Sequence, residues 1–200
     1  MESTFSSFLW PEAVIPSEMT DCQRCELYKQ RKRMIWGEVN PQASITVLLD
    51  NPGEREDKEG NPFVCGTRRM LQYAAHKVGF KPDDLFVTYI LKCRPRRKYN
   101  KQEARNNCMK HLFLQLELQK PDYIFCLGDT AVQSFFEEKE ASVKYFRGKV
   151  HNTKGFSVFV SYHPLAVVRR PNLLPYFLQD WEALYFAYKS SVSSLTKEKE

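Results

Sequence analysis

Four short apolar runs, separated by stretches of helical spacing, constrain this chain more than any other feature. They are residues 44–50 (SITVLLD), 85–91 (LFVTYIL), 122–127 (DYIFCL) and 156–162 (FSVFVSY). Apolar and β-branched residues run almost unbroken through each, the pattern of strands buried on both faces. Between them lie predicted helices. Residues 68–78 place Met70, Leu71, Ala74, Ala75 and Val78 on one side before Gly79 stops the helix. Residues 102–119 form a second helix that ends before Pro121, 129–137 a third after Gly128, and 172–188 an aromatic-rich last one. The alternation predicts an α/β chain: a three-layer α/β/α sandwich around a central four-stranded parallel sheet. Such sheets carry their chemistry at the carboxyl ends of the strands. Asn51, Cys93, Gly128 and His163 each follow one of the four runs there.

At 200 residues, the chain fits one domain with a substantial core. We expect that domain over residues 1–188 and a disordered tail over 189–200 (KSSVSSLTKEKE). Residues 1–20 read as a lead-in that docks through Phe5, Phe8, Leu9 and Trp10. No run suits a membrane span, and the N-terminus has the acidic Glu2 and no basic, apolar leader. The expected location is the cytoplasm, in association with the nucleoid. The net charge of +6 permits a nucleic-acid partner without demanding one. Its distribution is more telling: Lys92, Arg94, Arg96, Arg97, Lys98, Lys101 and Arg105 crowd one segment. A lone basic run is usually a solvated loop. The interleaved Pro95 and Tyr99 suggest a fixed loop that meets phosphate.

Six cysteines in a chain of this kind point to metal or cluster ligation before disulfides. Cys22 and Cys25 form a CxxC pair, which lets two thiolates reach one centre from a tight turn. Cys93 and Cys108 make the other pair, one opening the basic loop and one on the helix that follows. Spacing fits zinc and an iron–sulfur cluster alike. Cys126 sits inside a strand as a small core residue, and Cys65 lies in a turn.

Taken together, the motifs resemble those of the family 4 (iron–sulfur cluster) uracil-DNA glycosylases. They run in order: the N-terminal CxxC; Gly37-Glu38; Asn51-Pro52-Gly53-Glu54; Glu56-Asp57; Gly60; Pro62-Phe63-Val64; Lys92-Cys93-Arg94-Pro95; Leu127-Gly128; Arg147-Gly148; His163-Pro164; and Arg169. The resemblance spans Cys22 to Trp181. It implies a structural [4Fe-4S] cluster on Cys22, Cys25, Cys93 and Cys108, with zinc as the alternative. It also implies cleavage of the N-glycosidic bond of uracil in DNA, leaving an abasic site for base-excision repair. By the same likeness Phe63 stacks on the extruded base and His163 donates to the base oxygen. Leu165, Ala166 and Val167 fill the gap left in the duplex, with Arg169, Arg170, Arg94, Arg96 and Arg97 along the DNA.

The sequence departs from the family pattern at three places. Where the family has Gly-Glu-Ala-Pro-Gly, this chain has Leu49-Asp50-Asn51-Pro52-Gly53. Asn-Pro-Gly resembles the motif of the mismatch-specific and single-strand-selective enzymes, so Asn51 is expected to orient the water, with Asp50 either assisting or only structural. The family's base-reading Asn is Tyr89 here, and a phenol lacks the paired donor and acceptor of an amide. The family's Gly-x-Ala-Gly is Cys65-Gly66-Thr67-Arg68, which loses glycines from the pocket floor. These departures leave three readings open. The first is a monofunctional uracil glycosylase with an altered pocket in which Pro52, Gly53, Phe63 and Tyr89 contact the base. The second is a glycosylase for another deaminated or modified base. The third is an inactive DNA- or protein-binding module on the same fold. The expected partner is DNA and the expected state a monomer.

Overall fold

A computed structural model describes residues 5–59 and 64–197. Its sheet has six strands: β1 (Glu38–Val39), β2 (Ile45–Leu49), β3 (Leu85–Tyr89), β4 (Tyr123–Leu127), β5 (His151–Thr153) and β6 (Phe156–Ser161). They lie in the order β1-β3-β2-β4-β6-β5. The four expected strands form the parallel centre. Two short antiparallel edges, β1 and β5, extend the predicted four strands to six. Neither edge is long enough to show a hydrophobic period, which is why the sequence does not announce them.

The period of two sorts the strand residues between two cores. Leu48, Ile124, Cys126, Val158 and Val160 face α3 (Lys101–Gln119) and α4 (Asp129–Phe136), where they meet Leu112, Leu116, Ala131, Val132 and Phe135. Ile45, Val47, Leu49, Val87, Phe125 and Phe159 face α2 (Gly66–Val78) and α7 (Leu174–Lys197), where they meet Leu71, Ala74, Phe177 and Trp181. The fold is the expected three-layer α/β/α sandwich. Each large apolar side chain buried this way contributes roughly 1.5–3 kcal/mol.

The last helix runs into the segment expected to be a tail, whose residues 198–200 lie outside the described residues. Instead of stopping at Tyr188, α7 continues to Lys197. No glycine or proline interrupts residues 189–197. Ser190 and Ser193 donate their hydroxyls back to the carbonyls of Phe186 and Lys189, so they satisfy themselves within the helix. Ser161 of β6 pins α7 to the sheet by donating to Asp180 at 2.6 Å, while Arg147 donates to both carboxylate oxygens of Asp180 at 3.0 and 2.9 Å.

From β2 the chain steps to β3 on one side, then crosses to β4 on the other. The strand order therefore reverses beside β2, and open α/β sheets bind ligands in the crevice such a reversal makes. Register aligns the strand ends there. Leu49 pairs with Tyr89, Leu48 with Cys126, and Leu127 with Ser161, so the residues that follow emerge along one rim.

Candidate active site

Asp50 and Asn51 leave β2 at this rim. The Asn51 N–H donates to Asp50 Oδ1 at 2.8 Å, and the Asn51 side-chain nitrogen donates to the Pro52 carbonyl at 2.9 Å. The amide plane is thereby fixed, and its oxygen accepts no hydrogen bond among the described residues. His163 enters from β6 as the N-cap of α6 (Pro164–Arg169), its Nδ1 accepting the Leu165 N–H at 3.1 Å. That bond places the neutral ring's proton on Nε2, which lies 3.3 Å from Asp50 Oδ1. Asp50 and His163 are thus one unit, a pairing that the separate motifs do not reveal. Burial pushes the Asp50 carboxyl up, but His163 and the Asn51 N–H outweigh it and hold the group below its ordinary value. Asp50 therefore contributes stability above the ordinary carboxylate pKa that is lost as pH falls through the lower folded value.

Gly128 makes room for His163. Its φ is +93°, and a Cβ there would stand 2.9 Å from the His163 Cβ. Gly128→Ala is expected to cost about 1–3 kcal/mol of stability and to misplace the imidazole. Chemical denaturation beside an activity assay checks this, and a variant with unchanged stability would refute it.

Below the rim lies a pocket of about 160 Å³, lined by Asn51, Gly53, Glu56, Arg68, Tyr89 and His163 among others. Tyr89 reaches it, but its hydroxyl is committed to accepting a hydrogen bond from Arg68 Nη2. Arg68 also donates to both oxygens of Glu38, from Nε at 2.7 Å and Nη2 at 2.6 Å. All three residues are at most 2% exposed. Burial raises the Tyr89 phenol well above its ordinary pKa against the pull of the Arg68 cation, so it remains a protonated neutral group. Glu56 adds a carboxylate only 3% exposed, whose Oε1 takes the Cys65 thiol at 3.7 Å. A Cβ on Gly53 would lie 2.5 Å from Glu56 Oε2, so this glycine is what admits the carboxylate. Pro52, assigned to the base from sequence, is buried beneath this turn. Phe63, expected from the resemblance to stack on the base, lies with Pro62 outside the described residues. Sequence reasoning missed Arg68 and Glu38 as site residues. The available signal was that Arg68 and Tyr89 depart from the family pattern together.

The four cysteines expected to be ligands come together at the start of the basic loop. Cys93 and Cys108 are buried in the core, and Cys22 and Cys25 pack against it. The Cys25 and Cys108 thiols share a hydrogen bond, which lowers Cys25 to about 6 and raises Cys108. Burial pushes Cys93 up to about 11. Two nitrogens approach the sulfurs: Arg31 donates to Cys93 Sγ at 3.2 Å, and His111 Nε2 lies 3.2 Å from Cys22 Sγ. Among the described residues no three ligating side chains are drawn close enough to enclose a single metal ion. Four thiols without a carboxylate, flanked by N–H donors, fit an anionic thiolate-held centre.

The basic segment divides on folding. Lys92 is fully buried, donating to Thr88 Oγ1 at 2.6 Å, to the Tyr89 carbonyl at 2.9 Å and to Gln115, so it leaves the proposed phosphate face. Arg96 and Arg97 are exposed, their backbone N–H groups both held by Gln30 Oε1 at 2.9 and 2.8 Å. Arg94 pairs with Glu54 at 3.3 Å. Residues 164–169 correct the expectation that Leu165, Ala166 and Val167 all face the duplex. They form a helix, with Pro164 in the first helical position, where its missing N–H costs nothing. Val167 consequently turns into the core at 1% exposure and cannot enter a groove. Leu165 and Val168 share the exposed face, with Ala166 partly covered and Arg169 and Arg170 exposed beyond. Among the described residues no helix is long and apolar enough to cross a membrane.

A doubly covered parallel sheet with an Asp–His pair and a fixed amide at its switch point defines a hydrolase-type α/β site. The model of the Uracil DNA glycosylase superfamily matches residues 36–185. The chain is 31% identical to a type-4 uracil-DNA glycosylase of Archaeoglobus fulgidus, over 85% of this chain and 89% of that protein. It is 32% identical to that of Saccharolobus solfataricus, over 91% and 88%, and 30% identical to that of Thermotoga maritima, over 78% and 82%. This chain belongs to the uracil-DNA glycosylase superfamily, among relatives of the type-4 branch.

Proposed function

We propose that this protein is a monofunctional DNA glycosylase that hydrolyses the N-glycosidic bond of uracil in DNA as the first step of base-excision repair. The observation that carries this reading is the convergence of Asn51, Asp50 and His163 on one pocket at the strand rim. Breaking the bond leaves positive charge on the sugar and negative charge on the departing base. The Asn51 oxygen holds a water near the sugar, and Asp50 opposes the positive charge. The His163 Nε2–H, which faces Asp50 in the free protein and is oriented by the Leu165 N–H at its other nitrogen, is shared with the oxygen of the leaving base and stabilises it. Leu165 stands at the pocket rim, 36% exposed, and fills the place of the extruded nucleotide. Arg96, Arg97, Arg169 and Arg170 lie on phosphate.

The same reading assigns Cys22, Cys25, Cys93 and Cys108 to a structural [4Fe-4S] cluster. Bound there, the cluster cross-links the N-terminal segment, the basic loop and α3. Protein purified without oxygen is expected to be brown, with four irons per chain on the family pattern. Cys93→Ala should lose the iron and lower thermal stability. A colourless protein with stoichiometric zinc would refute the cluster.

The deciding experiment is base release from oligonucleotides carrying uracil, hypoxanthine or xanthine, single-stranded and mispaired. Release of uracil is expected. Release of another base alone would transfer the reading to that base, and binding without any release would leave a DNA-binding module.

A further inference from the structure

The amide that reads the base in the family is missing, and the structure shows what stands in its place. Tyr89 cannot stand in for the amide by itself, because its hydroxyl oxygen already accepts from Arg68 and only its O–H donor is left. Arg68 has spare capacity. Nε and Nη2 are spent on Glu38 and Tyr89, whereas none of the hydrogen bonds among the described residues engages Nη1. Arg68 is 2% exposed and lines the pocket that holds Asn51 and His163. Glu56, 3% exposed, lines the same pocket. Its charge is felt by Arg68, yet the ion pair that Arg68 makes is with Glu38. One pocket therefore holds a cationic N–H donor and a carboxylate acceptor that do not quench each other.

Resting on the glycosylase reading, we propose that Arg68 is the specificity-determining residue. Its free guanidinium nitrogen donates to the oxo group of the extruded base, while Glu56 accepts the adjacent ring N–H. Together the two side chains offer the donor and acceptor that one amide offers elsewhere. The substrate class is a base with a C=O next to a ring N–H, as in uracil, hypoxanthine and xanthine. Cytosine and adenine present an amino group to the cation and a bare ring nitrogen to the carboxylate, so both contacts turn repulsive. The discrimination supplied is oxo against amino, which separates a deaminated base from its parent. Glu38 and Tyr89 are positioning residues: they hold the guanidinium so that one nitrogen is left over.

Two measurements test this. The first compares single-turnover release of uracil with release of its analogue lacking the 4-oxo group and the adjacent N–H (2-pyrimidinone), by the intact protein and by the Glu38→Leu/Arg68→Met variant, which leaves no donor at position 68. The double change avoids an unpaired buried charge. The preference for uracil should fall about 10- to 100-fold in the variant, the worth of one charge-assisted hydrogen bond. Intrinsic differences between the leaving groups cancel in that comparison. An unchanged preference in a folded variant overturns the assignment.

In the second, the intact protein is titrated with oligonucleotides carrying uncleavable 2′-fluorinated deoxyuridine or deoxycytidine. Tighter binding of the uridine form, by about 10-fold or more, is expected on the same ground. Equal affinity overturns the proposal. If uracil is never released but the uridine form still binds preferentially, the proposed reaction fails, and loss of that preference in the Glu38→Leu/Arg68→Met variant keeps the reading role of Arg68, whereas its persistence overturns it.

Discussion

Asn51→Ala is expected to lower single-turnover base release by about 10²–10³-fold, the usual cost of removing one positioned polar group from a reaction centre, while leaving DNA affinity within about twofold. The amide is not a base, so its contribution is geometric. Its nitrogen is tied to the Pro52 carbonyl at 2.9 Å, and this fixes where the oxygen points. A water accepted there is held near the sugar without the entropy cost of capture at each turnover. Alanine removes the oxygen and leaves Asp50 paired with His163, so the fold and the DNA surface are preserved. Release kinetics beside fluorescence anisotropy with a labelled oligonucleotide separate the two effects. A rate equal to that of the unaltered protein would show that the water is held by other groups.

Glu38→Ala should be the most destabilising single change near the site, at about 3–5 kcal/mol, because it strands a buried guanidinium. Arg68 keeps only the Tyr89 hydroxyl, and Glu38 is completely buried. The apolar pair Glu38→Leu/Arg68→Met should come within about 1–2 kcal/mol of the unaltered protein, since the loss comes from breaking the pair rather than from lacking it. Urea unfolding of both variants gives the comparison. A single-variant loss below about 1 kcal/mol would mean that water reaches the guanidinium.

The parallel centre of the sheet was legible because its strands are buried on both faces, and short apolar runs such as Ile45–Leu49, bounded by turn residues, suit such strands. His163 and Asn51 were legible as strand-end residues for the same reason. The Glu38–Arg68–Tyr89 network was not, since its members lie 30 and 21 positions apart in the chain and meet only through the sheet. The six-residue helix Glu54–Glu59 carries only charged side chains and so has no apolar period to read. The six-residue helix that Pro164 opens is too short to show an apolar period, although a proline suits its first position. The pairing of His163 with Asp50 depends on the rotation of an imidazole set by the Leu165 N–H, a detail no linear pattern carries.

The two flanks of the sheet have a consequence for how the protein behaves in company. At one margin, β1 is two residues long, and its outer side is already occupied: Val39 donates to the Pro11 carbonyl, Ala13 donates to the Gly37 carbonyl, and Glu12 bridges to Glu38. At the other margin, β5 offers His151, Asn152 and Thr153 before the chain turns back at Gly155. Intermolecular strand addition needs a row of open amides to template it, and a charged residue turned inward at the edge discourages it further. Crowded copies can therefore collide with little to zip along: among the described residues the β1 margin is covered and the β5 margin is three residues long.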